Sequence, residues 1–74
     1  MLFETLKKCR IKYFDTSFIV HCASEDWEYL ISNNRLILKV LGEQFTTGLI
    51  ICRELKKAMR FYKDTFAKEL IEPI

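Results

Sequence analysis

The strongest pattern in this sequence is a series of apolar residues that recurs every three or four positions between Gly42 and Leu70. The series consists of Phe45, Leu49, Cys52, Leu55, Met59, Tyr62, Phe66 and Leu70. Steps of three and four place side chains on one face of an α-helix. The pattern therefore predicts one long helix, which would dominate the fold of a chain of 74 residues.

The end of this stretch admits two interpretations. Asp64 is of a residue type that caps helices, so a second segment is able to begin there. The tail Ala67–Ile74 then forms either a last helical turn or a short closing strand. Pro73 stops the element in both cases.

A basic stripe runs beside the apolar series. It consists of Arg53, Lys56, Lys57, Arg60 and Lys63, with Phe61 one helical turn after Lys57. Basic side chains neutralise phosphates, and an exposed aromatic ring stacks on a base. The stripe is therefore open to three interpretations, one of which is a nucleic-acid-binding face that includes Phe61. A solvated helix face and a protein contact are the alternatives.

Residues 27–41 have the pattern of a β-hairpin. With Asn33 and Asn34 at the turn, one face collects Trp27, Tyr29, Ile31, Leu36, Leu38 and Val40. Asparagine tolerates the positive φ of such turns, and a register slip would scramble both faces. A two-stranded sheet must be covered, so we expect the long helix to pack on it.

The N-terminal third is less sharply defined. The spacing of Leu2, Leu6, Cys9 and Tyr13 predicts a helix over residues 2–13. A shorter helix that ends near Cys9, followed by a strand over Ile11–Phe14, is the alternative. Asp15, Thr16 and Ser17 are helix-capping or turn residues, and the apolar run Phe18–Ala23 is either a buried strand or a short buried helix.

Composition limits the class of protein. A chain of 74 residues forms one domain, 1–74, and buries only ~60% of its unfolded surface. The net charge of +2 does not by itself require a nucleic-acid partner. Three cysteines without a C-x-x-C motif indicate a reducing compartment. With no signal peptide and no apolar run of ~20 residues, we expect a cytoplasmic protein that does not span a membrane.

No motif for catalysis, a metal or a cofactor is present in the sequence. His21 is the only histidine, and Cys22 beside it would point the opposite way on a strand. Cys9, His21, Cys22 and Cys52 lack the short spacing of zinc ligands. We therefore expect a non-enzymatic protein without metal or cofactor.

Four segments resemble the N-terminal domain (domain I) of the bacterial replication initiator DnaA. Leu2-Phe3 is similar to the start of its first helix, and Phe14-Asp15-Thr16 with Phe18-Ile19 is similar to the element that begins its second. Asn33–Leu38 resembles its hairpin turn and second strand, and Phe45-Thr46 the start of its long helix. The resemblance covers residues 2–63. It is of the kind expected for a distant or phage-borne relative of that family.

The resemblance implies a KH-like α+β fold of order α-α-β-β-α, in which a two-stranded hairpin, with a third short strand as an option, is covered by a long helix. It also implies a bacterial domain for protein–protein interaction in DNA replication initiation. Such a domain binds the replicative helicase and its regulators, self-associates weakly and in some cases touches single-stranded DNA. Phe3 would lie in the self-association patch, Phe45 at the helicase-facing surface, and Phe14 and Asp15 near the regulator patch.

Two alternatives to this function remain. One is a small single-stranded nucleic-acid-binding protein that uses the basic face of the long helix. The other is a stand-alone phage or plasmid regulator of a host protein.

Overall fold

A computed structural model describes residues 2–64 and the backbone of residues 68–71. These residues form three helices and five strands, so the predicted α+β class is confirmed. In chain order the elements are α1 (Leu2–Lys8), β1 (Arg10–Tyr13), β2 (Ser17–His21), α2 (Ser24–Ser32), α3 (Asn34–Leu41), β3 (Thr47–Cys52), β4 (Lys57–Tyr62) and β5 (Lys68–Ile71). The order is therefore α-β-β-α-α-β-β-β instead of the α-α-β-β-α order expected from the resemblance.

The five strands form one mixed sheet in which they lie side by side in chain order. Strands β2 and β3 are parallel, with Ser17 opposite Thr47 and His21 opposite Ile51. The other neighbouring strands are antiparallel. A parallel pair cannot be joined by a tight turn and needs a crossover connection. Helices α2 and α3 are that connection.

The core lies on one face of the sheet. Successive side chains of a strand point to opposite faces, so Phe18, Val20, Ile50 and Phe61 point to the same side and are fully buried. All three helices contribute to this core, with Leu2, Leu6, Trp27, Leu30, Ile37 and Leu38.

The opposite face of the sheet, here called the open face, has no helix packed on it among the described residues. Its described side chains are Arg10, Lys12, Ser17, Ile19, His21, Thr47, Leu49, Ile51, Ala58, Arg60 and Tyr62. Its central apolar residues, Ile19, Leu49 and Ile51, are only half-buried. The open face therefore offers both apolar and charged groups to a partner.

Three phenylalanine rings pack around Gly48 and its neighbours at one end of the core. The Phe18 ring packs edge-on against Phe45 at 5.3 Å and against Phe61 at 6.0 Å, measured between ring centroids. A Cβ atom on Gly48 would lie 2.5 Å from Cζ of Phe61 and 2.7 Å from Cζ of Phe18. The missing side chain at Gly48 thus lets the two rings close over the backbone of β3.

Gly48→Ala should destabilise the domain, because the added methyl group forces Phe18 and Phe61 apart in a close-packed core. Overpacking of this kind costs about 1–3 kcal/mol. Urea unfolding followed by circular dichroism measures the loss. Thr47→Ala changes the open face at the neighbouring position and should cost less. Equal unfolding midpoints for the two variants would contradict this account of Gly48.

The predicted long helix from Gly42 to Leu70 is wrong, because this stretch forms β3, β4 and β5. Leu49, Ile50, Ile51 and Cys52 form an unbroken apolar run, which fits a strand as well as a helix. The β-branched isoleucines favour the strand. Between β3 and β4 the chain turns at Arg53–Lys56, where Lys56 has a φ of 55° that no α-helix contains.

The predicted hairpin over residues 27–40 is also wrong, because the segment forms α2 and α3. The buried pairs Trp27 with Leu30 and Asn34 with Ile37 are each three residues apart, which is a helical spacing. The two asparagines interrupt the helix and do not form a hairpin turn. The side-chain Nδ2 of Asn33 donates to the carbonyl of Tyr29 at 2.8 Å, and that of Asn34 to Ile31 at 2.7 Å.

The two ends of the chain agree better with the expectations. A helix over residues 2–13 is wrong, and the shorter alternative holds, because α1 ends at Lys8 and a strand follows. The run that starts at Phe18 is a strand, and of the two alternatives for the tail the closing strand holds, as β5. Phe66 and Pro73 lie outside the described residues.

Candidate functional site

A basic cavity lies at one end of the open face, where three segments of the chain meet. Strand β1 contributes Arg10 and Lys12, which alternate with the inward-facing Ile11. The register places Arg10 opposite His21 of β2, and the β3–β4 turn brings Arg53 to the same end of the sheet. The cavity has a volume of about 350 Å³ and is lined by Arg10, Lys12, His21, Cys22, Ile51, Arg53 and Glu54. We call it the basic pocket.

The basic pocket has a positive net charge. Arg10, Lys12 and Arg53 contribute three positive charges and Glu54 one negative charge, so the sum is +2 with a neutral His21. Burial lowers the pKa of His21, and the positive charges of Arg53, Arg10 and Lys12 lower it further. The pKa of the imidazole therefore depends on the same cations that an incoming anion would neutralise.

Glu54 is the one carboxylate among the described residues that line the basic pocket, and it already has a partner. Its Oε1 accepts a hydrogen bond of 2.7 Å from the backbone N–H of Ser24, the first residue of α2. A carboxylate is favoured at a helix N-terminus, because the N–H groups there lack partners and carry partial positive charge. Glu54 is thus held at the start of α2, which leaves the arginines for a ligand.

The thiol of Cys22 contributes to the pocket wall without being a nucleophile at neutral pH. Burial raises its pKa to about 12, and neighbouring Cys52, Cys9 and Asp26 act in the same direction. A thiol must be deprotonated to attack a substrate. Among the described residues, no cluster of three or more His, Cys, Asp or Glu side chains could hold a metal ion. The groups in this pocket are therefore suited to binding an anion.

The structure separates the residues of the predicted basic stripe. Arg53 lines the basic pocket and Arg60 lies on the open face, whereas Lys56 and Lys57 lie at the β3–β4 turn. The Nζ of Lys63 donates to the backbone carbonyl of Glu43 at 2.7 Å, at the other end of β4. The prediction of Phe61 as an exposed stacking residue is wrong, because its side chain is 1% exposed and lies in the core.

The predicted protein-binding residues also divide into two groups. Phe3 on α1 is 66% exposed and Phe14 in the β1–β2 turn is 52% exposed, with the exposed Asp15 next to it. The prediction that Phe45 is a surface anchor is wrong, because its side chain is 3% exposed and packs against Phe18. It lies in a loop before β3, so the core requires it and a partner cannot reach it.

Sequence reasoning missed Arg10, Lys12 and His21 as members of one site. The predicted helix over residues 2–13 included Arg10 and Lys12, and His21 was considered only as a catalytic or metal-binding residue. The alternation of charged and apolar residues over Arg10–Tyr13 is the signal of a half-buried strand. Their approach to Arg53 depends on the order of strands in the sheet, which that signal does not contain.

A second cavity, of about 410 Å³, lies between α3 and the end of β4. It is lined by Arg35, Leu36, Leu38, Lys39, Glu43, Lys63 and Asp64. Its three basic groups face two carboxylates, and an Nη2 of Arg35 donates to the backbone carbonyl of Lys63 at 3.2 Å. The net charge of +1 makes this cavity less selective for an anion than the basic pocket.

Comparisons with protein-family models, with curated proteins and with solved structures gave no match. Within the part of the chain that the structure describes, no helix has both the length and the apolar character needed to cross a membrane. The function must therefore be inferred from the basic pocket and the open face themselves.

The single histidine makes the basic pocket observable by NMR. Because the folded protein favours neutral imidazole, we expect His21 to titrate below its ordinary pKa of ~6.5. The stability linked to this group is present above ~6.5 and is lost as the pH falls through the lower folded value. Added sulfate should raise the midpoint, since a bound anion stabilises the imidazolium.

Two variants provide the controls for this titration. Arg53→Gln should raise the midpoint in the free protein and weaken the response to sulfate, because it removes a neighbouring cation. Lys39→Gln removes a charge on α3 and should change neither. A midpoint at or above ~6.5 that responds to neither sulfate nor Arg53→Gln would contradict this electrostatic description.

Proposed function

We propose that this protein binds single-stranded nucleic acid on the open face of its sheet, with backbone phosphate held in the basic pocket. The observation that carries the proposal is the convergence of Arg10, Lys12 and Arg53 on one concave site beside an uncovered sheet face. Arginine donates two parallel hydrogen bonds to a phosphate, and a cavity surrounds the anion better than a flat surface. This moves the predicted nucleic-acid contacts from a helix face to a sheet.

The apolar part of the open face favours a single strand over a duplex. Ile19, Leu49 and Ile51 are half-buried and lie next to the basic pocket, with Ile51 in its wall. A duplex presents mostly phosphate and sugar on its outside, whereas an unpaired strand also exposes the faces of its bases. A surface with cations at its end and isoleucines at its centre suits a ligand that offers both phosphates and exposed base faces.

Charge placement also supports this surface. The other face of the sheet is covered by the helices and contributes the core, so a ligand cannot reach it. On the open face, both charged residues of β1, Arg10 and Lys12, are positive. A polyanion is therefore attracted to this edge of the face, and the basic pocket fixes where its phosphate is held.

The test is fluorescence anisotropy with a labelled oligothymidine at several salt concentrations. The double variant Arg10→Gln/Arg53→Gln should bind at least about tenfold more weakly, because two phosphate contacts are lost. Its plot of log affinity against log salt should become shallower by about 1.4, since each contact to a single strand contributes ~0.7.

The matched control is Lys7→Gln/Lys39→Gln, which makes the same change in net charge on the helix side of the protein. It should keep nearly the full affinity and salt slope. An equal loss in both double variants would show that binding follows overall charge or uses the second cavity. That result, or the absence of salt-sensitive binding by the unmodified protein, would overturn the proposal.

A second candidate function is the docking of a replication protein, as the resemblance to the DnaA N-terminal domain implies. The observation that favours it is the exposure of Phe3 and Phe14, since large apolar side chains on a surface are typical anchors of protein interfaces. The KH-like arrangement and the link to replication initiation rest on the resemblance. The core position of Phe45 removes one of its four expected contacts.

Biolayer interferometry with a purified bacterial replicative helicase tests this second candidate. Phe3→Ser should weaken binding about tenfold, because it removes an anchor from α1 without disturbing the core. Arg10→Gln serves as the control and should bind as the unmodified protein does. No binding of the unmodified protein at about 100 μM helicase, or equal binding by Phe3→Ser, would rule the candidate out.

A further inference from the structure

Three side chains lie in a row on the open face along the edge strand β1. Arg10 and Lys12 point to the open face, while Ile11 packs against the core and the Tyr13 ring lies 5.8 Å from that of Phe45. The alternation continues one step beyond the strand. The backbone N–H of Phe14 donates to the carbonyl of Ser17 at 2.8 Å, which extends the β1–β2 pairing by one position. Phe14 therefore follows Arg10 and Lys12 on the same face.

The spacing of this row fits an extended nucleic-acid strand. Side chains on one face of an antiparallel strand repeat every ~6.8 Å, because each residue rises ~3.4 Å. Stacked bases in a duplex are ~3.4 Å apart along each strand, and an unstacked strand stretches beyond that. Each extended nucleotide then covers about two residues of β1. Phe14 lies four residues, or about two nucleotides, from Arg10.

The two ends of the row differ in chemistry. Arg10 belongs to the basic pocket with Arg53, whereas Phe14 is followed by Asp15, whose carboxylate disfavours a phosphate. The exposed Phe14 ring is the attractive group at that end. Aromatic rings bind bases without regard to sequence, since every base has a π-face.

We propose that a bound single strand lies along β1, with its backbone phosphate held in the basic pocket by Arg10, Lys12 and Arg53 and a base stacked on Phe14. This inference rests on the proposed nucleic-acid function and specifies the direction in which the bound strand crosses the sheet. It makes the β1 edge, and not the centre of the sheet, the path of the strand. It also assigns Phe14 a role in nucleic-acid binding in place of the protein contact expected from the sequence.

The test compares two probes of equal length, an oligothymidine octamer and an octamer of the same backbone without bases. Phe14→Leu keeps an apolar side chain in the turn but removes the ring. It should bind the oligothymidine about tenfold more weakly with an unchanged salt slope, and it should bind the base-free octamer as the unmodified protein does. Phe3→Leu is the matched control and should change neither affinity.

A gain-of-signal variant gives an independent readout. Phe14→Trp should retain the affinity, and its indole fluorescence should be quenched by oligothymidine but not by the base-free octamer. The native Trp27 is buried in the core and provides the unquenched background.

The outcomes separate the two proposals. If the unmodified protein binds oligothymidine with a salt slope but Phe14→Leu binds it equally well, the path along β1 is wrong while the basic pocket stands. The same conclusion follows if Phe14→Trp is not quenched. If the unmodified protein binds neither octamer, the proposed function itself fails.

Discussion

The parallel pairing of β2 with β3 is the constraint on which the rest of this structure depends. It requires the chain to leave the sheet after His21 and return at Thr47 in the same direction, and α2 and α3 are the route. Both helices pack on one face of the sheet, where they cover Phe18, Val20 and Ile50. Among the described residues, no helix covers the opposite face. The open face is thus a consequence of how the core is made.

This one-sided burial also explains the amphipathic character of the strands. On the side that faces the helices the described strand residues are apolar except for the exposed Lys57 at the start of β4 and for Gly48, where the aromatic rings need the space of a side chain. On the open face the same strands carry Arg10, Lys12 and His21 beside half-buried isoleucines. Cations at these positions retain contact with water, so they cost little in the free protein. The core therefore fixes the location of the binding groups without competing with them for burial.

The class of fold could be predicted from the sequence, but the arrangement could not, and the reason is the same in each segment. Leu49–Cys52 is apolar at every position, so helical and strand patterns fit it equally well. Trp27, Leu30, Ile37 and Leu38 satisfy a helical spacing, while their neighbours Tyr29, Ile31 and Leu36 complete a strand-like alternation. Local pattern does not decide between these alternatives. The pairing of β3 with β2, which is distant in the sequence, does. The tail was likewise open to a helical turn or a closing strand, and its pairing with β4 makes it a strand.

The candidate site follows the same rule. Arg53 was recognised as a basic residue, but Arg10 and His21, which line the same pocket, come from strands whose neighbours are set by tertiary structure. Their grouping places like charges together in the free protein, which lowers the pKa of His21 after burial has already lowered it. An anion in the basic pocket removes that repulsion, so its binding stabilises the folded state as well as the complex. A surface arranged only for stability would separate these cations or pair them with more carboxylates, and the one carboxylate present, Glu54, is committed to the N-terminus of α2. Under the proposed function, a bound phosphate supplies the negative charge that the basic pocket lacks.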